Sequence, residues 1–247
     1  MSTMSRAHTI LILAVFAVTG TAAEDSPSVP KERTDHIWIS QNKEINDSIK
    51  KMEGKIDLAF VGDSITRRWT GKENQESWNK YWGSYRAVNM GIGGDATQNV
   101  LWRLENGQLD GYQARVFVVM IGTNNCWGKQ PPPAEDVAAG VKKILDLIQS
   151  KQPQAKILLL SILPTGKKPQ TGLELRAAIN KLISKFAGGP VHYMDIADKF
   201  VGPDAKISQE VMKDYLHLTP KGYEIWSEAI KDKVKELMGE AQAGKTP

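Results

Sequence analysis

A chain of 247 residues, 41% hydrophobic and 24% charged, can bury one sizeable core, which excludes disordered and collagen-like classes. The net charge of +4 comes from scattered basic residues, and the densest pairs (Lys50-Lys51, Lys142-Lys143, Lys167-Lys168) suit a solvated helix face or loop, so no nucleic-acid partner is expected. Cys126 is the single cysteine, which leaves no disulfide within the chain, and it reads as a small apolar filler near a loop.

At the N-terminus, Arg6 precedes the apolar run Ile10 to Val18 and the small residues Gly20-Thr21-Ala22-Ala23. That order predicts a signal peptide over residues 1–23, cleaved after Ala23, and a secreted or periplasmic protein. The run is shorter than the roughly 20 residues a membrane span needs, so no stable span is expected after cleavage; an uncleaved anchor is the alternative. Cleavage would leave 31 Lys+Arg against 28 Asp+Glu, a net charge of +3. Residues 24–33, rich in Pro and Ser, read as a linker; one domain follows over 34–240, and 241–247 form a frayed tail. There is no internal repeat and no second-domain boundary.

A helix is expected from about Asp35 to Met52. Strand-like runs then follow at 56–62, 85–91, 115–122, 156–163 and 191–196, near-continuously apolar, as in a parallel sheet covered on both faces by crossover helices. Between them, 95–107 opens with Asp and Thr and ends on Gly, and 133–150 opens with Pro and acids; both carry helical signals. Two further helices are expected near 173–186 and 219–238, the last led by Thr219 and Pro220 as N-cap and first helical residue.

Ligands of open parallel sheets bind beyond the carboxyl ends of the strands, so the segments leaving those ends carry the functional reading. Ser64, in "FVGDSITRRW", follows the first strand where backbone N–H groups favour negative charge; it reads as a nucleophile or as an N-cap. A nucleophilic serine needs a base, and the histidines are few. His8 falls in the signal peptide, His36 in the N-terminal flank and His192 within a strand, where Asp195 points to the opposite face. In "DYLHLTP" the three-residue spacing lies in a turn, where Asp214 can hold one ring nitrogen of His217 while the other faces Ser64; a purely structural polar turn is the alternative. Gly94 in "NMGIGGDAT" offers a backbone N–H, the missing side chain giving a substrate oxygen room, and Asn124 in "GTNN" offers a side-chain amide. With the Ser64 N–H these make three oxyanion donors from three strand ends.

Other chemistries fit less well. "GIGGDA" (91–96) satisfies a relaxed dinucleotide fingerprint, but the acid expected at the end of the next strand is replaced by Gly122-Thr123-Asn124-Asn125, and Asp110 comes before that strand. Two usable histidines and one cysteine give no metal-ligand spacing, and neither a P-loop nor G-x-S-x-G occurs. Tryptophans 69, 78, 82, 102 and 127 flank these blocks and read as core, with sugar stacking as the alternative for exposed ones; Trp102 falls in a helical pattern and is expected to be buried.

"GDS", the glycine of "GIGGD", the asparagine of "GTNN" and "DYLH" resemble, in that order, the SGNH (GDSL-type) esterase and acylhydrolase family. "NMGIGGDATQNVLWRLENGQL", "QPQAKILLL" and "DYLHLT" are similar in particular to its branch of catalytic subunits of intracellular type I platelet-activating factor acetylhydrolase. The resemblance spans about residues 56–238. It implies a flavodoxin-like, three-layer α/β/α sandwich with a central five-stranded parallel sheet, and no metal or organic cofactor. It also implies Ser64 as nucleophile, Asp214 and His217 completing the triad, and Ser64, Gly94 and Asn124 as the oxyanion hole. Ile65 departs from the leucine of the family name, and Asn125 stands where many members have Asp. An exported enzyme acting on short acyl groups, acetyl above all, of a small-molecule or polysaccharide ester is expected, carbohydrate O-acetyl esters being favoured and a lipid acylhydrolase the alternative. A homodimer is compatible with this reading. The alternative of another class is a non-catalytic glycan- or lipid-binding module on the same fold.

Overall fold

Apolar side chains on both sides of a strand oblige the chain to cover two faces of its sheet. The computed structural model describes residues 26–167, 173–203 and 206–239; the expected signal peptide and frayed tail lie outside these residues. Five parallel strands, β1 (Leu58–Gly62), β2 (Ala87–Gly91), β3 (Val116–Met120), β4 (Lys156–Leu160) and β5 (Val191–Met194), form one sheet in the order β2-β1-β3-β4-β5. This is the flavodoxin-like order, in which the chain runs outward from β1 in both directions and leaves a crevice at the carboxyl ends of β1 and β3.

Alternate residues of the central strands enter opposite cores. Ala59, Val61, Phe117, Val119, Ile157 and Leu159 meet α1 (His36–Lys51), α4 (Thr97–Arg103), α5 (Ala134–Lys151) and α6 (Leu173–Ile183). Leu58, Phe60, Val116, Val118, Leu158 and Leu160 meet α2 (Ser64–Arg67), α3 (Gln75–Trp82) and α7 (Pro220–Leu237). In this second core Trp69, Trp78 and Trp82 surround Phe60 with ring centroids 5.1 to 5.4 Å apart, and Trp226 lies 4.4 Å from Trp69. Among the described residues no helix is long and apolar enough to cross a membrane.

Several local expectations change. The strands are shorter than their apolar runs, and β5, at the sheet edge, is only half-buried along its length. The helix α3 has no counterpart in the sequence reading, because eight residues give too few repeats; its signal is the i, i+4 pair Trp78 and Trp82. The helix expected over 95–107 stops at Arg103, and a wider turn over Leu104–Gln108 is broken by Gly107 at φ +107°. Asp95 does not cap α4. Asn99 Oδ1 accepts the Ala96 N–H at 3.0 Å instead, and Asp95 turns inward.

The expected linker is also different in its described part. Residues 26–33 form a strap along α4 and α5: Thr97 Oγ1 donates to Pro27 O at 2.7 Å, Lys31 N to Gln98 O at 3.0 Å, Asn99 Nδ2 to Lys31 O at 3.0 Å and Lys143 Nζ to Ser28 O at 2.8 Å. Asp35 then caps α1 by accepting the Trp38 N–H. The strap lies so close to α5 that a Cβ on Gly140 would stand 2.4 Å from Pro27 O and 2.7 Å from Thr97 Oγ1. Gly→Ala in a helix interior ordinarily stabilises by roughly 0.8–1 kcal/mol. Gly140→Ala is expected to do the opposite here, losing roughly 1–3 kcal/mol to overpacking in a guanidinium chloride titration. A stabilised variant would show that the strap is not held against α5.

Candidate active site

The site is assembled from the segments that leave β1, β2 and β3 and from the turn that precedes α7. At the end of β1 only a glycine fits position 62, since a Cβ there would lie 2.1 Å from Thr66 Oγ1 and 2.6 Å from Met120 O. Asp63 Oδ1 accepts the Ile65 N–H at 2.9 Å and so caps the short helix α2. Ser64 is the first residue of that helix, where no intrahelical acceptor exists for its N–H.

After β2, the loop turns through Gly94 at φ +79°, a conformation open to glycine. After β3, a 3₁₀ turn over Thr123–Cys126 presents Asn124, whose Nδ2 donates one hydrogen to Asp95 O at 2.8 Å. That bond fixes the amide plane and leaves a second hydrogen. The N–H groups of Ser64 and Gly94 have no acceptor among the described residues. Asn125 accepts the Thr97 N–H and donates to Gln98 Oε1, each at 3.1 Å, and so ties this turn to the start of α4; an aspartate could not make the second bond.

The last turn is closed by a bridge between Met212 and Leu218, with Tyr215 at φ +61°. Asp214 Oδ1 accepts the N–H groups of Leu216 and His217 at 3.1 and 2.7 Å, a turn stabilised by the carboxylate itself. Its other oxygen lies 2.7 Å from His217 Nδ1, and His217 Nε2 lies 3.0 Å from Ser64 Oγ. With Nδ1 donating to Asp214, Nε2 is the unprotonated nitrogen and accepts from the serine hydroxyl. Thr219 caps α7, with Pro220 as its first residue, and Tyr223 on that helix donates to Ile65 O at 2.7 Å, linking α7 to α2.

The five residues singled out from the sequence thus come to one end of the sheet, while His192 pairs with Leu158 in β5 and faces none of them. Cys126 is buried. Trp69, Trp78 and Trp82 are core residues; Trp102, expected to be buried, is half-buried and packs edge-on against Trp38. Trp127 alone of these five is well exposed, at 46%, with the Arg176 guanidinium 5.1 Å from its ring centre. Gly94 needs one correction too: a Cβ there would stand 3.0 Å from Arg33 Nη1, so its lack of a side chain makes room for a guanidinium.

The sequence reading missed the support beneath the site. Asp95 and Arg103, both fully buried, pair at 2.8 Å; Asp95 also accepts the Trp38 Nε1–H at 2.8 Å, and Arg103 Nη2 donates to Gly62 O at 3.1 Å. Burial pushes the Asp95 carboxyl up and the Arg103 guanidinium down, and each opposes the other's shift. Partial burial would raise the Asp214 carboxyl as well, but the His217 ring and backbone N–H bonds outweigh it and hold the group at about 2. Burial raises the Asp63 carboxyl to about 7, against the Ile65 N–H and reinforced by Asp95.

A cavity of about 590 Å³ opens beside His217, lined among others by Arg68, Lys72, Asn74, Lys213 and Leu218. A second, of about 370 Å³ between α6 and β5, holds none of these groups. No cluster of metal-ligating side chains occurs among the described residues. A hydroxyl hydrogen-bonded to an imidazole, itself held by a carboxylate, beside free N–H donors is an arrangement able to perform acyl transfer.

The family model of the GDSL-like lipase/acylhydrolase family matches residues 60–225. The platelet-activating factor acetylhydrolase IB subunit alpha2 of Rattus norvegicus is 38% identical over 210 residues, covering 83% of this chain and 87% of its own length. The alpha1 subunit of Homo sapiens is 35% identical over 215 residues, covering 86% and 89%. Among solved structures, a GDSL-like lipase from Bacteroides thetaiotaomicron aligns with TM-score 0.61 at 17% identity, covering 81% of this chain and 96% of its own, a likeness of fold.

Asp63 has a consequence for stability. Its carboxyl ionises near 4 in the unfolded chain and near 7 in the folded one. The stability linked to its proton is therefore full below about pH 4 and is lost as pH rises to about 7, with a slope of at most about 1.4 kcal/mol per unit. In denaturant titrations, Asp63→Asn is expected to gain on the parent as pH rises from 4.5 to 7.5. A constant difference would place the Asp63 ionisation outside that window.

Proposed function

The chain belongs to the GDSL-like lipase/acylhydrolase family and is an ester-hydrolysing enzyme; from that premise we propose that it removes short acyl groups, acetyl above all, through Ser64. His217 serves as the base, Asp214 orients it, and the N–H groups of Ser64 and Gly94 with the second Asn124 Nδ2–H receive the oxyanion. The observation that carries the assignment is the continuous line from Asp214 Oδ2 through both nitrogens of His217 to Ser64 Oγ, at 2.7 and 3.0 Å.

In this mechanism Nε2 takes the hydroxyl proton as Oγ attacks the ester carbonyl, and the carbonyl oxygen, now negative, is held by the three donors. Collapse of the tetrahedral species expels the alcohol, which takes the proton back from His217. Water, deprotonated by the same imidazole, then releases the acid and restores Ser64. Asp214 stays ionised throughout, fixes the ring tautomer and balances the imidazolium charge.

Because the leaving oxygen must meet His217, the alcohol half belongs on the side where the 590 Å³ cavity opens. Its lining sets Arg68, Lys72 and Lys213 against Glu73 and Asp214, a slight positive excess that favours a neutral or anionic alcohol over a cationic one. Carbohydrate O-acetyl esters are the favoured class: Trp127, exposed at the end of the Asn124 turn, offers a stacking face for a sugar ring, and the leader-like N-terminus suits a secreted or periplasmic enzyme. A lipid acetyl ester is the second reading, supported by the acetylhydrolase subunits at 38% and 35% identity. Acetate release measured across acetylated xylan, acetylated pectin and a short-chain phospholipid separates the two.

A fluorophosphonate probe is expected to label the parent and not Ser64→Ala; an unlabelled, folded parent would rule the mechanism out. Asn124→Ala is expected to lower kcat by about 100 to 1000-fold with little change in KM, since its donor acts on charge present only in the transition state. An effect confined to KM would remove Asn124 from the oxyanion site. Across p-nitrophenyl esters, rates are expected to fall from acetyl to decanoyl, and a steady rise would contradict the short-acyl assignment.

A further inference from the structure

Arg33 lies in the strap before α1, outside residues 60–225 matched by the family model. Its Nη1 donates to Gly93 O at 2.7 Å and approaches Asp95 Oδ1 at 3.4 Å. The rest of the guanidinium is held by Asp35, with Nε and Nη2 at 3.1 and 3.0 Å from the same carboxylate oxygen. Asp35 is itself fixed as the cap of α1, and the strap is pinned to α4 and α5.

The carbonyl of Gly93 and the N–H of Gly94 are the two ends of one trans peptide unit, so they point in opposite directions. Whatever fixes the carbonyl fixes the direction of the amide. A peptide between two glycines has unusual freedom to rotate, and Arg33 is the side chain that removes it by gripping the oxygen. Gln41 Oε1 secures the preceding peptide by accepting the Gly93 N–H at 2.9 Å. A charge-assisted bond to a carbonyl also polarises its peptide, drawing electron density toward the oxygen and strengthening the N–H at the other end as a donor.

We propose that Arg33 is a positioning residue for acyl transfer: by holding the Gly93 carbonyl it sets the direction and donor strength of the Gly94 N–H toward the oxyanion. The N-terminal strap is thereby a working part of the active site. This rests on the assignment of Gly94 as an oxyanion donor, and it adds a residue that touches neither the substrate nor Ser64.

The test uses the full chain with Arg33→Ala and Arg33→Lys, assayed on p-nitrophenyl acetate beside Asn124→Ala. Arg33→Ala is expected to lower kcat about 10-fold with KM changed less than about 2-fold, a fraction of the loss typical of removing a donor outright. Affinity for a trifluoromethyl ketone, which adds Ser64 Oγ to give a charged hemiketal oxygen, is expected to weaken by the same factor. Millimolar guanidinium is expected to restore part of the activity of Arg33→Ala and none of that of Asn124→Ala, and Arg33→Lys is expected to fall between parent and Ala. Should Arg33→Ala fold poorly, Arg33→Lys with the ketone carries the comparison. Unchanged kcat and ketone affinity in Arg33→Ala and Arg33→Lys, with Asn124→Ala impaired, would overturn the role of Arg33 alone. Full activity in Asn124→Ala as well would overturn the oxyanion assignment beneath it.

Discussion

One buried ion pair holds the working end of this sheet together. Arg103 and Asp95 meet at 2.8 Å with no exposure to solvent, and each spends its remaining hydrogen-bonding capacity on a different element. Arg103 reaches the carbonyl of Gly62, two residues before Ser64. Asp95 takes the indole N–H of Trp38 from α1 and the approach of Arg33 from the strap, while its backbone carbonyl receives the Asn124 amide from the β3 turn. Buried pairs of this kind add little net stability against an apolar replacement, but losing one partner strands a charge and typically costs about 3–5 kcal/mol. Such a pair tolerates few alternative arrangements, and so it keeps the loops that leave β1, β2 and β3 in one geometry.

The carboxylates show how environment divides one residue type into separate tasks. Asp63 is buried, its carboxyl raised toward neutrality, and it shapes the entry to α2. Asp95 is buried against two guanidinium groups and serves as the hub. Asp214 is half-exposed, yet three N–H bonds keep it ionised and let it organise both the turn and the imidazole. Solvent reaches the one that holds the His217 ring and is kept from the two that brace the backbone around Ser64.

Much of this was legible in the sequence because turns next to apolar runs leave strong marks. Gly62, Gly94 and Gly122 sit where the backbone needs close approach or positive φ, and scarce histidines made His217 findable. The support beneath them left no such marks. Asp95 looked like a helix opener because aspartate is common there, and nothing local reveals that its side chain turns inward to an arginine eight residues on. Residues 26–33 looked like a linker because Pro and Ser describe backbone preference, whereas docking depends on partners such as Thr97, Asn99 and Gly140 far along the chain. Trp69, Trp78 and Trp82 read as core and are buried, whereas the closing of Trp226 over Trp69 joins distant parts of the chain and left no local mark.

The hydrogen bond between Ser64 and His217 spans 153 residues of sequence, and the loop of Gly93 and Gly94 is braced by a strap that lies before both. No fragment emerging during synthesis contains Arg33, Ser64 and His217 together until nearly the whole of the described chain has been made. The arrangement at Ser64 is therefore a property of the nearly complete chain and not of any early-folding part of it.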